Sequence, residues 1–335
     1  MTLSQPFVAT RPGSVALLTL MISLGQMSMG LYLPSMPFMA VELQAPASDV
    51  QLTLTMYLLG FTLSQFIWGP LSDRFGRRPA LFTGLACFTA ASIGCALADS
   101  IELLIALRFF QALGACASQV AARSIVRDTT EGADSARVMS YISMGMSVSP
   151  AITPFLGGYL QAHFGWHSNF VFLTIMGLSI AAITLVRLPE TNKRLVPDAL
   201  NPYPMIRNYG SLLKDQEYLG YVLVVGAIFG ALLSYSTGIP FILIDQLGWS
   251  PEHFGMLLVV NVVAFLAGSL IANRVNMRVG LRKMVWIGAS ISAVVGLLMV
   301  FPAISGDLST PAVMLPNMLS SSGWRSRCRT PWRER

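Results

Sequence analysis

Arg108 is the residue hardest to explain as mere filling. It lies in L-R-F-F-Q-A-L-G-A, inside the apolar run 101–122, and is the one charged side chain deep in any such run. Placing a lone cation in hydrocarbon costs at least about 3 kcal/mol, so it needs a partner or a task. The plain alternative to a task is a structural arginine bonded to backbone carbonyls of neighbouring helices. Gln111 and Gly114 follow it on the same run. A second group is Gly69–Pro79, G-P-L-S-D-R-F-G-R-R-P, in which Gly69, Asp73, Arg74, Gly76, Arg77 and Arg78 crowd between two apolar runs. These residues cannot stay in hydrocarbon and predict a tight, water-facing hairpin across the whole stretch. Asp73 is placed to pair with or cap a neighbouring helix terminus. A third group is Ser149–Gly158, S-P-A-I-T-P-F-L-G-G. Pro150 and Pro154 break a helical hydrogen-bond ladder and predict a bend, while Gly157 and Gly158 permit close helix contact.

Other chemistries lack residues. No apolar run carries His, Asp, Glu or Lys away from its ends, so acid–base or metal catalysis within the membrane has no carrier and an enzyme is not expected. Glu102 comes nearest, at the end of its run. His163 and His167 stand four apart without a third ligand, and no metal site is expected. Cys87, Cys95 and Cys116 fall in apolar runs and Cys328 in the tail, which gives neither a disulfide framework nor metal-ligand spacing.

The elements that position these residues follow from hydropathy. The 335 residues are 54% hydrophobic and 11% charged, with mean hydropathy +0.61. A soluble chain carries about 25% charge, so this is an all-α polytopic membrane protein. Nine segments are long enough to span, roughly 15–38, 50–68, 80–98, 101–122, 137–160, 168–187, 219–243, 253–273 and 284–303. The first is too long for a signal-peptide core and lacks a small-x-small cleavage site. Loops after even-numbered spans hold the Lys and Arg residues, whereas loops after odd-numbered spans, through the ninth, hold none. This alternation predicts a cytoplasmic N-terminus. The six excess positive charges are scattered by loop and form no face for nucleic acid.

The Pro-rich stretch 188–218 reads as a cytoplasmic linker. It separates a six-helix bundle, 1–187, from an incomplete second bundle, 219–319. Gly268–Lys283 repeats the leading Gly, late Gly and closing basic pair of Gly69–Pro79, without the Asp, at the equivalent place in the second half. Apolar character stops within a tenth span near Pro311–Leu319, and the basic tail 320–335 has five arginines in eleven positions. A truncated or frame-shifted chain with impaired transport is expected; a natural short paralogue is the alternative.

Gly69–Pro79 resembles the signature loop between helices 2 and 3 of the major facilitator superfamily, G-x-L-a-D-r-x-G-r-r. Arg108, Gln111 and Gly114 resemble that family's span-four motif R-x-x-q-G, with the Gly one residue late. Pro154, Gly157 and Gly158 are similar to the P-x-x-G-G ending of the drug–proton antiporter motif, with Thr153 in place of a Gly. Leu24–Pro37, L-G-Q-M-S-M-G-L-Y-L-P-S-M-P, resembles span one of the Bcr/CflA (EmrD-like) subfamily, with Gly30 where many relatives place an acid.

The resemblance implies a major facilitator fold and alternating access about a midplane cavity. It implies multidrug efflux coupled to protons, with no cofactor beyond that ion, in the bacterial inner membrane. Arg108 and Gln111 would belong to coupling, and the hairpin with Pro150, Pro154, Gly157 and Gly158 to the conformational switch. The expected cavity wall is Gln26, Met29, Tyr32, Tyr57, Gln65, Gln119, Tyr141, Met144 and Tyr235. Thioethers and rings suit loose binding of small amphipathic drugs, although any of these side chains could simply pack between helices. A monomer is expected, and the rival function is a non-transporting or sensory scaffold that keeps the fold.

Overall fold

The computed structural model describes residues 9–192, 195–201 and 214–257, together with Ser290 and Val294. No strand occurs among them. The chain divides into two compact units, Met1–Met205 with Ser250–Gly255, and Ile206–Trp249 with Met256–Arg335.

The first unit is a helical bundle. Its helices are α1 (Pro12–Gly30), α2 (Met36–Glu42), α3 (Ala47–Phe75), α4 (Arg77–Ala96), α5 (Ile101–Thr129), α6 (Gly132–Phe164) and α7 (His167–Arg187). A 3₁₀ turn, Leu33–Ser35, joins α1 to α2. Pro34 explains the break: in an α-helix its ring would strike the carbonyl four residues back, so the chain tightens for one turn. The single span expected over 15–38 is therefore an interrupted one.

Small residues set the helix spacing. α5 packs against α3 and α4 along a buried face that includes Ala112, Gly114, Ala115, Ala117, Ser118, Ala121 and Ala122. A Cβ on Gly114 would run into the backbone of Gly84 and Phe88, and one on Gly84 into Ala117. A Cβ on Gly60 would come 2.6 Å from the Phe109 carbonyl. Lipid gives helices little hydrophobic reason to associate, so this close backbone approach is the main source of cohesion. Buried polar atoms find partners across helices: Trp68 Nε1 donates to the Leu113 carbonyl at 2.7 Å, and Asn169 Nδ2 to Ser35 Oγ at 2.8 Å.

Two expectations about local structure change. Gly69–Pro79 is not a hairpin throughout. α3 continues through Pro70 to Phe75, and the reversal is confined to Gly76, at φ +103°. The helix can run on because Pro70 costs one ladder donor but the turns around it remain helical. Pro150 and Pro154 likewise lie inside the continuous helix α6.

In the second unit, α8 (Gln216–Pro240) runs into a wider π-type turn at Phe241–Gln246. Among the described residues, six stretches are long and apolar enough to cross a membrane: Pro12–Glu42, Ala47–Phe75, Arg77–Ala96, Ile101–Thr129, His167–Arg187 and Tyr218–Gln246. α6 has the length, at 33 residues, but its Ser, Gly and Pro content makes it less apolar. Most of the segments expected over 253–273 and 284–303, the Gly268–Lys283 repeat, the tenth span and the tail lie outside the described residues.

Candidate functional site

Five helices build the surroundings of Arg108. The side chain leaves the first third of α5 and is wholly buried, with 0% exposure. Its guanidinium carbon lies 4.3 Å from the ring centroid of Tyr32 and 4.3 Å from that of Tyr57 on α3. Phe170 on α7 stands farther off, at 5.8 Å. Nη1 donates to Gln111 Oε1, and Gln111 Nε2 donates to Ser92 Oγ on α4 at 2.8 Å. Nε and Nη2 have no hydrogen-bond partner. None of the described ion pairs includes Arg108. The cation is held by ring faces and one amide, with no counter-ion among the described residues. Desolvated contacts of this kind contribute about 2 kcal/mol or more. The rings are fixed in turn: Tyr57 OH donates to the Gly25 carbonyl at 3.0 Å, and Tyr32 OH and Thr53 Oγ1 are 3.1 Å apart.

The expected cavity residues separate into groups. Tyr32 and Tyr57 are core residues, exposed by 0% and 1%. Gln119 is buried near Gly25, and Gln26 and Met29 are half-buried. Gln65, Tyr141 and Met144 are exposed on the open surface of the bundle. Tyr235 is half-buried on α8 in the other unit. The structure thus collects Tyr32, Tyr57, Arg108 and Gln111 into one cluster and leaves Gln65, Tyr141 and Met144 apart from it.

A second cluster forms where α3 turns into α4. Arg77, 5% exposed, bonds Asp128 Oδ2 at the end of α5 through Nε at 2.8 Å. Its Nη1 reaches Ser72 Oγ at 2.8 Å and also Asp73 Oδ1. Arg78 Nη2 donates to the Leu185 carbonyl near the end of α7 at 2.9 Å. Arg74 is exposed and lies over the Phe75 ring. Gly69 has open space around its Cβ position, unlike Gly76. Asp73, near the end of α3, therefore pairs with Arg77, the first residue of the neighbouring helix α4.

The third motif works by contact alone. A Cβ on Gly157 would meet the Leu31 carbonyl, and one on Gly158 the Pro251 carbonyl. A Cβ on Gly255 would come 2.7 Å from the Pro154 carbonyl. Pro150 is exposed and Pro154 buried. At this acidic end His163 Nδ1 lies 3.5 Å from Glu252, and His167 Nε2 lies 3.8 Å from Glu42. The two histidines fall on successive helices, with Gly165 between, so their spacing is not that of one helix face.

With 306 residues matched, 18–323, the sequence fits the family description Major Facilitator Superfamily. The chain belongs to the major facilitator superfamily. It is a membrane-spanning transporter by family, and its relatives are transporters, not enzymes. It is 37% identical over 81% of its length to an uncharacterized MFS-type transporter of Bacillus subtilis, covering 68% of that protein. It is 30% identical to a bicyclomycin resistance protein homolog of Haemophilus influenzae, covering 82% of this chain and 69% of the other. The third, multidrug resistance protein D of Escherichia coli, is 27% identical, with 90% and 75% covered. Among solved structures, a peptide transporter, POT, superposes with TM-score 0.73 at 16% identity, over 94% of this chain and 80% of the other. The xylose transporter XylE from E. coli gives 0.71 at 13%, over 93% and 81%. These two share the fold.

Sequence reasoning missed Phe170, Asp128, Glu190 and Asn192. Phe170 is one of many apolar residues, and nothing in its spacing marks it. Asp128 and Glu190 carry no motif, but a search for acids at the arginine-rich helix ends would have found both.

Proposed function

We propose that this protein exports small amphipathic drugs from the bacterial cytoplasm in exchange for protons, by alternating access. The observation that carries the reading is the match to a bicyclomycin resistance protein homolog over 82% of the chain. The Pro154–Gly158 contacts and the buried Arg108 cluster support it, since symporters and uniporters do not normally show the first. The protein sits in the inner membrane as a monomer, with the arginine-rich ends of α3, α5 and α7 and the N-terminus facing the cytoplasm. Three contacts bring those ends together: Arg77 with Asp128, Arg78 with Leu185, and Gly13 beside Arg187.

One proton moving down about 100 mV releases about 2.3 kcal/mol, enough for a roughly fifty-fold gradient of a neutral drug. The tyrosine-caged Arg108 contributes to coupling by repelling a proton from its surroundings until the helices rearrange. Gln26, Met29, Tyr32, Tyr57, Gln65, Gln119, Tyr141 and Met144 of the first unit contribute to drug binding, as does Tyr235 of the second.

Drug uptake into inside-out vesicles tests the reading. An imposed proton gradient should drive uptake, and a protonophore should abolish it. Uptake that ignores the gradient would sink the coupling, and binding without uptake would favour a non-transporting scaffold. Running the same assay with the chain extended to its relatives' length tests whether the present chain is impaired.

A further inference from the structure

α4 begins without a cap of its own. Its N-cap residue, Gly76, has no side chain, and the first turn contains no acid. The first amides of a helix need acceptors and favour negative charge. Glu190 supplies both from 113 residues away in sequence: Oε1 accepts from Arg77 N at 3.0 Å and Oε2 from Arg78 N at 3.0 Å. Oε1 also accepts from Asn192 N at 2.8 Å, which holds the carboxylate in place.

The same segment grips the other side of the reversal with the opposite chemistry. Asn192 Nδ2 donates to the carbonyls of Ser72 and Asp73 at 3.4 and 3.2 Å, and Val196 N donates to the Asp73 carbonyl at 3.1 Å. An acceptor thus meets the N-terminus of one helix, and donors meet the C-terminus of the helix before it. Gly76 fits this arrangement. At φ +103° any side chain is strained, and its Cβ would stand 2.7 Å from Glu190 Oε2. The glycine is therefore required by the carboxylate as well as by the turn.

We infer that Glu190 is a positioning residue for transport: with Asn192 it straps the segment leaving α7 onto the α3–α4 reversal and holds Arg77 between Asp73 and Asp128. It touches no drug. Only its consequence for flux rests on the exporter reading; the strap itself does not.

Hydrogen exchange on the full chain in detergent, with flux measured in vesicles, tests this. Glu190→Ala should raise exchange at the Arg77, Arg78 and Val196 amides about tenfold, as loss of a helix cap does. Glu190→Gln, which keeps one acceptor oxygen, should give a smaller rise, and Asn192→Ala should free the Val196 amide. Amides of α5 before Asp128 should not change. Maximal flux should fall in the same order with KM unchanged. Unaltered exchange at these three amides would overturn the proposal, as would faster exchange with undiminished flux or a raised KM. If the parent chain carries no flux, the exporter reading is what fails, and the exchange result alone supports or overturns the strap.

Discussion

Two arginines in this bundle are almost equally buried, and the protein accommodates them in opposite ways. Arg77 stands at a helix end with two carboxylates and a hydroxyl on its guanidinium. Arg108 stands within a span against three rings, with one amide and no carboxylate. The difference follows from depth. Near the membrane edge an acid reaches water until the pair forms, so Asp73 and Asp128 are affordable partners. Deep in a span a carboxylate would need desolvation of its own, and aromatic faces offer negative potential without a charge. A matched pair locks a geometry, whereas a cation without a counter-ion can respond when its surroundings change.

The contrast is broken most directly at the hairpin. Arg77→Ala leaves Asp128 and Asp73 without their cation and should cost about 2–3 kcal/mol, below the range for a fully buried pair because both carboxylates stay partly in water. Unfolding in detergent measures it, and an unchanged midpoint would show that the pair is merely superficial. Gly76→Ala comes next. A strained φ together with the collision at Glu190 predicts a loss of about 1–3 kcal/mol and faster exchange at the start of α4.

The Arg108 side should respond more mildly. Ser92→Ala removes the acceptor of the buried Gln111 amide and should cost about 1 kcal/mol. Arg108→Leu should shift stability least, by less than about 1 kcal/mol, because no orphaned acid remains and the leucine packs among the same rings. Proton-driven uptake should nonetheless disappear in that variant. Arg108→Lys should not restore it, since a compact ammonium cannot lie flat between two rings. A large destabilisation by Arg108→Leu would make the residue structural and erase the comparison.

Much of the architecture was legible without coordinates. Hydropathy located the first-unit helices, although α3 and α5 run seven residues past the expected ends at 68 and 122, because a span must be long, apolar and self-bonded wherever it packs. The motif at Ser149–Gly158 pointed to close helix contact, and a Cβ on Gly157 or Gly158 would indeed strike neighbouring backbone. Gly69 shows the limit of such reading: it matches the pattern, yet nothing lies near its Cβ position. The exact place of the reversal was also hidden, since Pro70 suggests a break that the ladder around it absorbs.

The sequence by itself determined that this chain is threaded through lipid, which of its segments cross, and that one arginine lies where charge is costly. Those facts depend on local composition and on spacings of a few residues. Only the tertiary structure decided what faces that arginine, which acid holds Arg77, and why α4 needs Glu190. The rings on Arg108, Asp128 on Arg77 and Glu190 on α4 each join positions about 50 or more residues apart in sequence, chosen by how the helices cross, and no local pattern records them.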